Sequence, residues 1–501
     1  MQKHVPSAVS TDDVRAWPHL GHPFDDDKLH EECGVFGIWG AVDASAHVAL
    51  GLHALQHRGQ EAAGIVSFDG RQFHSHRGLG QVGENFNSES VMDSLPGSAA
   101  IGHNRYSTQG ETVLRNVQPL FADLEFGGLA VAHNGNLTNA RQIRRELVRR
   151  GCIFQSTMDT EIIIHLIATS PYPRLIERLT DGLRQVVGAY SLVALTNDAL
   201  IGVRDPMGVR PLVLGWLGEA PILTSETCAL DIIGAKLERS IEPGEIVICT
   251  DEGVESIRPF PPSRQRFCIF EYIYFARPDS DCEEINVYDA RKRIGAELAR
   301  EAPAPADVVV PVPDSGTPAA IGFAAEAGIA FELGIIRNHY VGRTFIEPSQ
   351  RIRDLGVKLK HNASRSQLNG KSVVLVDDSI VRGTTSRKIV QMVRDAGAAE
   401  VHMRIASPPT MHSCFYGIDT PERGELLAAR MSVEEMRIYI GADSLAYLSI
   451  DGLYRAVAGS QRNDAAPQYC DACFTGEYPV PLVDQEGGSN AVQLSLLAES
   501  V

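Results

Sequence analysis

Four consecutive apolar residues, Val373-Val374-Leu375-Val376, end on two adjacent acids, Asp377-Asp378, and then on Ser379-Ile380-Val381-Arg382-Gly383-Thr384-Thr385. A strand with no polar position is buried on both faces, which is the condition of a parallel sheet covered by helices. Its end falls on the C-terminal edge of that sheet, where open α/β sheets bind ligands. The Gly-Thr-Thr loop that follows opens a helix and offers backbone N–H groups and hydroxyls to a phosphate. It is not a Walker A loop, because the Gly-x4-Gly-Lys spacing is absent. A second buried strand, Val308-Val309-Val310, leads into Asp314-Ser315-Gly316-Thr317.

The 501 residues are 44% hydrophobic, enough for more than one buried core. Residues 1–32 are polar, carry Pro6, Pro18, Pro23, Asp25-Asp26-Asp27 and Glu31-Glu32, and hold no apolar stretch of the kind a secretory signal needs. From Cys33 to about residue 258, short β-rich runs alternate with turn signals, interrupted by helix-like stretches near 44–57 and 138–150. This predicts a layered α+β domain. Pro259, Pro261 and Pro262 mark a break, and the strand–loop–helix pattern begins near residue 265. The end of the chain, from about 484, reads as a polar tail. The expected divisions are therefore 1–32, 33–262, 263–483 and 484–501. A net charge of −17 argues against nucleic-acid partners and against an anionic membrane surface, and no apolar run is long enough to span a bilayer. The expected location is the cytoplasm, where nine cysteines are thiols or metal ligands rather than disulfides.

The run from Val373 to Thr385 closely resembles the phosphoribosyl pyrophosphate (PRPP) signature of type I phosphoribosyltransferases. The resemblance implies that Asp377 and Asp378 hold the ribose hydroxyls, partly through Mg²⁺, and that Arg382, Gly383, Thr384 and Thr385 hold the 5′-phosphate. Asp314-Ser315-Gly316-Thr317 looks like the family's pyrophosphate loop, with Ser315 on the Mg²⁺ side. Between the two loops lies a long basic segment with Arg337, Arg343, Arg351, Arg353, Lys358 and Lys360. Its length and charge suit a lid closing over pyrophosphate. Such a lid would exclude water from a ribosyl cation while Mg²⁺ and basic residues stabilise the leaving charge.

A second set of motifs lies upstream: Cys33-Gly34-Val35-Phe36-Gly37, Leu55-Gln56-His57-Arg58-Gly59-Gln60, His103-Asn104-Arg105-Tyr106-Ser107-Thr108 and His133-Asn134-Gly135-Asn136-Leu137. Together they resemble the class II glutamine amidotransferases, four-layer αββα hydrolases whose nucleophile is the N-terminal residue. The resemblance makes Cys33 the nucleophile, Asn134 and the Gly135 N–H the oxyanion hole, and Arg105 and Asp159 the holders of the α-carboxylate and α-amino group of glutamine. An amino-acid substrate needs one cation and one anion at its α-carbon, and acyl transfer needs donors at the developing oxyanion. His57, His103 and His133 are expected to be structural, and Cys152, Cys228 and Cys249 to be buried packing thiols. In this class the base is the α-amine of the nucleophile, with a free pKa of about 7.7–8.0. As encoded, Cys33 carries an amide to Glu32, which cannot serve. Residues 1–32 are therefore expected to be a propeptide removed by self-cleavage.

Cys470-Asp471-Ala472-Cys473 has a metal-ligand spacing, and Cys268 and Cys414 share the second half with it. Four thiolates suit structural Zn²⁺ or a [4Fe–4S] cluster, and the chemistry alone does not choose. The two halves together resemble the amidophosphoribosyltransferase family from Cys33 to about residue 480. One branch of that family carries a [4Fe–4S] cluster on four cysteines placed like these, together with a cleaved leader. The resemblance implies a glycosyltransferase of purine synthesis that hydrolyses glutamine at Cys33 and channels ammonia to C1 of PRPP, with Tyr106 and Tyr274 candidates for the path. It also implies purine nucleotides as feedback inhibitors and a homotetramer. Glucosamine-6-phosphate and asparagine synthases share the first half but not the Asp377-Asp378 loop. A PRPP-sensing regulator would have no use for Cys33.

Overall fold

The computed structural model describes residues 30–31, 33–105, 113–338 and 361–486. The leader up to residue 29, Glu32, Tyr106, Ser107, Thr108, most of the expected basic lid (Arg343, Arg351, Arg353, Lys358, Lys360) and residues 487–501 lie outside the described residues.

The first half contains β1 (Gly34–Trp39), α1 (Ala44–Ala54), β2 (Ala62–Phe68), β3 (Phe73–Leu79), β4 (Ala99–Arg105), β5 (Leu120–Leu124), β6 (Gly127–Leu137), α2 (Ala140–Arg149), α3 (Thr160–Thr169), α4 (Leu175–Leu183), β7 (Gly188–Thr196), β8 (Leu200–Arg204), β9 (Val213–Leu217), β10 (Ala220–Thr224), β11 (Lys236–Ser240), β12 (Ile246–Thr250) and β13 (Gly253–Ile257). They form a seven-stranded sheet in the order β11-β9-β10-β1-β4-β2-β3 and a six-stranded sheet in the order β13-β12-β8-β7-β6-β5. Pairing within both is antiparallel. The sheets face each other through Val35, Val66 and Ile101 on one side and Ala132, Val193 and Val247 on the other. Helix α1 covers the outer face of the first sheet with Val48 and Leu52, and α2, α3 and α4 cover the second. This is the expected αββα layering. Helix α3 has no counterpart in the sequence reading. Its Ile162-Ile163-Ile164 run is β-branched and buried, so it shows neither a polar face nor a helical period.

The second half contains α5 (Val287–Glu301), β14 (Val308–Pro311), α6 (Thr317–Ala327), β15 (Ala330–Phe331), β16 (Ser372–Asp377), α7 (Thr384–Asp395), β17 (Glu400–Ile405) and β18 (Ser444–Tyr447). The five strands form one sheet, β15-β14-β16-β17-β18, parallel throughout. The apolar run of β16 is divided between two cores. Val373 and Leu375 pack with Ile389 and Val393, while Val374 and Val376 pack with Ile294 and Phe323. The halves are joined by polar contacts as well as by the chain. Asn136 Nδ2 donates to Phe415 O at 2.9 Å and Thr138 Oγ1 to Pro481 O at 2.7 Å. Asp484, just past the expected boundary at 483, accepts the first N–H groups of α2 from Arg141 (2.8 Å) and Gln142 (3.2 Å). Among the described residues, no helix is long and apolar enough to cross a membrane.

Candidate active sites

Cys33 stands at the head of β1, beside Gly34, which is in register with Asn104 of β4. It is buried, and its N–H donates to Arg58 O at 3.2 Å. Its φ of 78° lies in the left-handed region, which a residue with a Cβ seldom adopts. Across the sandwich His103 Nε2 meets His133 O at 3.1 Å, tying β4 to β6 and bringing Asn134 and Gly135 to the same end as Cys33. Asn134 is fully buried, and neither atom of its side-chain amide has a hydrogen-bond partner among the described residues. Buried amides are ordinarily satisfied, which sets this one apart from the rest of the core. Gly135 has φ 136°, and a Cβ there would stand 2.1 Å from Ala189 O, so glycine is required.

Arg105 ends β4, is buried, and donates through Nη1 to Asn116 O at 2.8 Å. Asp159 caps the start of α3; it accepts the Leu137 N–H at 3.0 Å and lies 3.4 Å from His133 Nδ1. Burial alone would raise its carboxyl. The His133 charge and hydrogen bonds from His133, Leu137 and Thr160 outweigh that and hold it below the usual carboxylate value. Burial pushes His103 down to about 3, so it is a neutral, structural imidazole.

A buried charged network beside Cys33 escaped the sequence reading. Arg58 Nε pairs with Glu226 and Nη2 with Glu271 at 2.9 Å, all three side chains being fully buried. Glu226 also accepts from His57 Nε2 (2.6 Å), the Arg277 N–H (2.9 Å) and Ser280 Oγ (2.6 Å). Burial would raise Glu226, but the Arg58 and His57 charges hold it well below the ordinary range. The available signal was an acid set in apolar surroundings, as in Phe267-Cys268-Ile269-Phe270-Glu271-Tyr272-Ile273. An acid there demands a buried partner.

In the second half Val312 N–H donates to Val376 O at 2.8 Å, which sets the Asp314-Ser315 loop beside the end of β16. Asp377 and Asp378 are each only 2% exposed. The Asp378 N–H donates to Asp377 Oδ1 (3.0 Å), and Ser379 Oγ donates to Asp378 Oδ2 (2.7 Å). Two adjacent buried carboxylates repel each other and suit a shared cation. Gly383 has φ 78° and precedes Thr384 and Thr385, the first residues of α7. Arg382 turns outward to Glu425 at 3.1 Å, and Arg337 to Asp314 at 2.6 Å.

Cys268, Cys414, Cys470 and Cys473 line one pocket with Phe270, Tyr416 and Tyr478. Cys268 and Cys470 are in register in a short parallel pair, and Cys414 Sγ accepts the Tyr416 N–H at 3.3 Å. Burial pushes Cys268 up to about 12, and burial with the neighbouring sulfurs pushes Cys470 and Cys473 well above the usual thiol value. Four sulfurs so placed fit a group that stabilises thiolates. Among the described residues, no three His, Cys, Asp or Glu side chains converge as ligands of a single metal ion. Cys228 and Cys249 are buried packing thiols, and Cys152 is half-buried rather than buried.

Fold and sites together define a class of two-part enzyme, a class II glutamine amidotransferase joined to a type I phosphoribosyltransferase. A glutamine amidotransferase domain family matches residues 103–231, and a phosphoribosyl transferase domain family matches residues 283–406. The chain is 59% identical over 484 residues to the amidophosphoribosyltransferase of Rhizobium etli, covering 95% of this chain and 98% of that one. It is 50% identical over 455 residues to that of Bacillus subtilis, covering 91% and 95%. The solved structure of the B. subtilis glutamine PRPP amidotransferase complexed with ADP and GMP is similar with a TM-score of 0.85 at 49% identity, over 90% of this chain and 98% of that one. The chain belongs to the amidophosphoribosyltransferase family. It is an enzyme of purine biosynthesis that makes phosphoribosylamine from PRPP and glutamine.

Proposed function

We propose that the reaction is divided between a glutaminase built on residues 33–262 and a transferase built on 263–483, with Cys33 as the N-terminal nucleophile. Its α-amine takes the thiol proton, and the thiolate attacks the γ-carbonyl of glutamine. The oxyanion is held by Asn134 Nδ2 and the Gly135 N–H. Collapse expels ammonia as the α-ammonium gives its proton to the leaving nitrogen, and water then hydrolyses the γ-glutamyl thioester to glutamate. Arg105 and Asp159 hold the two charges at the substrate's α-carbon. Ammonia passes inside the protein to C1 of PRPP, bonds there, and pyrophosphate leaves. Asp377 and Asp378 hold the ribose hydroxyls, and Arg382, Gly383, Thr384 and Thr385 hold the 5′-phosphate. Mg²⁺, when bound beside Ser315, Asp377 and Asp378, supplies charge stabilisation for the departing pyrophosphate. The observation that carries this reading is the unpaired, buried amide of Asn134 at the Cys33 end of the sandwich.

The mature enzyme on this reading starts at Cys33, and residues 1–32 are a propeptide removed by self-cleavage. The left-handed backbone of Cys33 supports strain at that junction. Cys268, Cys414, Cys470 and Cys473 hold a [4Fe–4S] cluster. Four cysteine sulfurs lining a single pocket support a site of this kind. Purine nucleotides act as feedback inhibitors of a cytoplasmic homotetramer; the relative complexed with ADP and GMP supports the nucleotide part. The test is PRPP-dependent glutamate release by wild type and Cys33→Ala, with N-terminal sequencing of the active preparation. Loss in the variant and an N-terminus at Cys33 are expected. Active enzyme that still begins at Met1 would sink the amine-as-base mechanism.

A further inference from the structure

Glu271 belongs to the phosphoribosyltransferase half, yet it is bonded into the glutaminase site. It opens a single π-turn, Glu271–Phe275, a form concentrated at functional positions. Arg291 of α5, itself buried, anchors that turn by donating to Tyr272 O (3.0 Å), Ala276 O (2.7 Å) and Glu271 O (3.5 Å). The Glu271 carboxylate accepts Arg58 Nη2 at 2.9 Å and has Arg210 Nη2 at 3.5 Å. Arg58 is thus gripped by one acid from each half, Glu226 and Glu271. Its carbonyl accepts the N–H of Cys33. A glutaminase half alone would leave Arg58 with Glu226 and without the second carboxylate that holds its other nitrogen.

Resting on the reading of Cys33 as N-terminal nucleophile, we infer that Glu271 is a positioning residue for glutamine hydrolysis, supplied by the other half of the enzyme. It fixes the Arg58 guanidinium, and Arg58 fixes through its carbonyl the amine that must take the thiol proton. Glutamine in place of Glu271 keeps the shape but removes the charge, so Arg58 keeps only the Glu226 carboxylate, Arg210 loses that of Glu271, and the Arg58 turn shifts. The amine then loses its alignment with the sulfur, and glutamine hydrolysis suffers while the site for glutamine itself is intact.

The experiment compares Glu271→Gln and Glu271→Asp in the full chain, assayed in one preparation for glutamine-dependent and ammonia-dependent synthesis of phosphoribosylamine. For Glu271→Gln the glutamine-dependent kcat should fall roughly 10- to 100-fold more than the ammonia-dependent kcat, the scale of a small misplacement of a reacting group. The KM for glutamine should stay near the wild-type value, and Glu271→Asp should recover part of the loss. Equal falls in both activities, or a rise confined to the glutamine KM, would overturn the inference. If Glu271→Gln does not fold, Glu271→Asp decides by the same ratio, since it keeps the charge and withdraws it from Arg58. Cys33→Ala run alongside separates the two claims. A variant at Cys33 that still hydrolyses glutamine defeats the nucleophile reading, whereas an inactive one beside an unaltered ratio at Glu271 defeats only this inference.

Discussion

On the proposed mechanism Asn134 is costly to the fold and needed for the chemistry. A buried amide with no partner loses its hydration without a compensating bond. Asn134→Ala removes no side-chain hydrogen bond made among the described residues, so its melting temperature should stay at or near that of wild type. Its glutamine-dependent kcat should fall by about 10²–10³, the scale of one lost oxyanion donor. A large fall in stability with little fall in kcat would make Asn134 structural. Asp159 carries a different signature, because its carboxyl is held low in the folded state. Stability from a depressed carboxylate is fully present above its unfolded pKa, about 3.9, and is lost as pH drops through the lower folded value. Asp159→Asn should therefore melt below wild type near neutrality, and the two melting curves should converge as the pH is taken below about 4. Parallel curves down to the acid limit would mean the charge of Asp159 is not linked to folding.

Among the elements, the β16–loop–α7 unit depends most on backbone geometry. Gly383 is left-handed, and a Cβ on it would stand 2.5 Å from Leu427 Cδ2. Gly383→Ala should destabilise by about 1–2 kcal/mol from the left-handed conformation alone. It should also raise the KM for PRPP in both glutamine- and ammonia-dependent assays, because the loop serves the acceptor whatever the source of ammonia. A change seen only with glutamine would contradict that assignment. The same unit was the most legible part of the sequence, since an unbroken Val373–Val376 run admits one environment and its acids and glycine follow without interruption. The two sheets of the first half were legible as a class from alternating runs and turns. Helix α3 was not, because burial of nearly every side chain from Thr160 to Ile167 erases the periodicity that marks a helix. The Arg58–Glu226–Glu271 network was invisible for a further reason. Its members are separated by 168 and 213 residues, and no local pattern encodes a pairing across two halves.

On the scale of the whole molecule, one segment links the proposed leader, the cysteine pocket and the proposed oxyanion site. Residues His30–Glu31 pair antiparallel with Ile418–Asp419, so the chain just before the junction at Cys33 is held by the second half. That segment is a loop closed on itself, with the Cys414 N–H donating to Thr420 Oγ1 at 2.7 Å. Within it Gly417 packs against the Gly135 backbone so closely that a Cβ would reach Gly135 Cα at 2.8 Å. Fixing Cys414 therefore fixes residues His30–Glu31 and the back of Gly135 together. A thiolate bound in a four-sulfur site is such a fixture, and a serine in its place is a poor one. On the proposed cluster, Cys414→Ser should lose iron, retain the leader and lose glutamine hydrolysis as one linked phenotype, whereas Cys249→Ser, buried in the sandwich core, should show none of these three changes. Iron analysis and N-terminal sequencing of the two variants check this. A Cys414→Ser protein that lacks iron yet begins at Cys33 would show that the leader is cut without help from the segment that holds it.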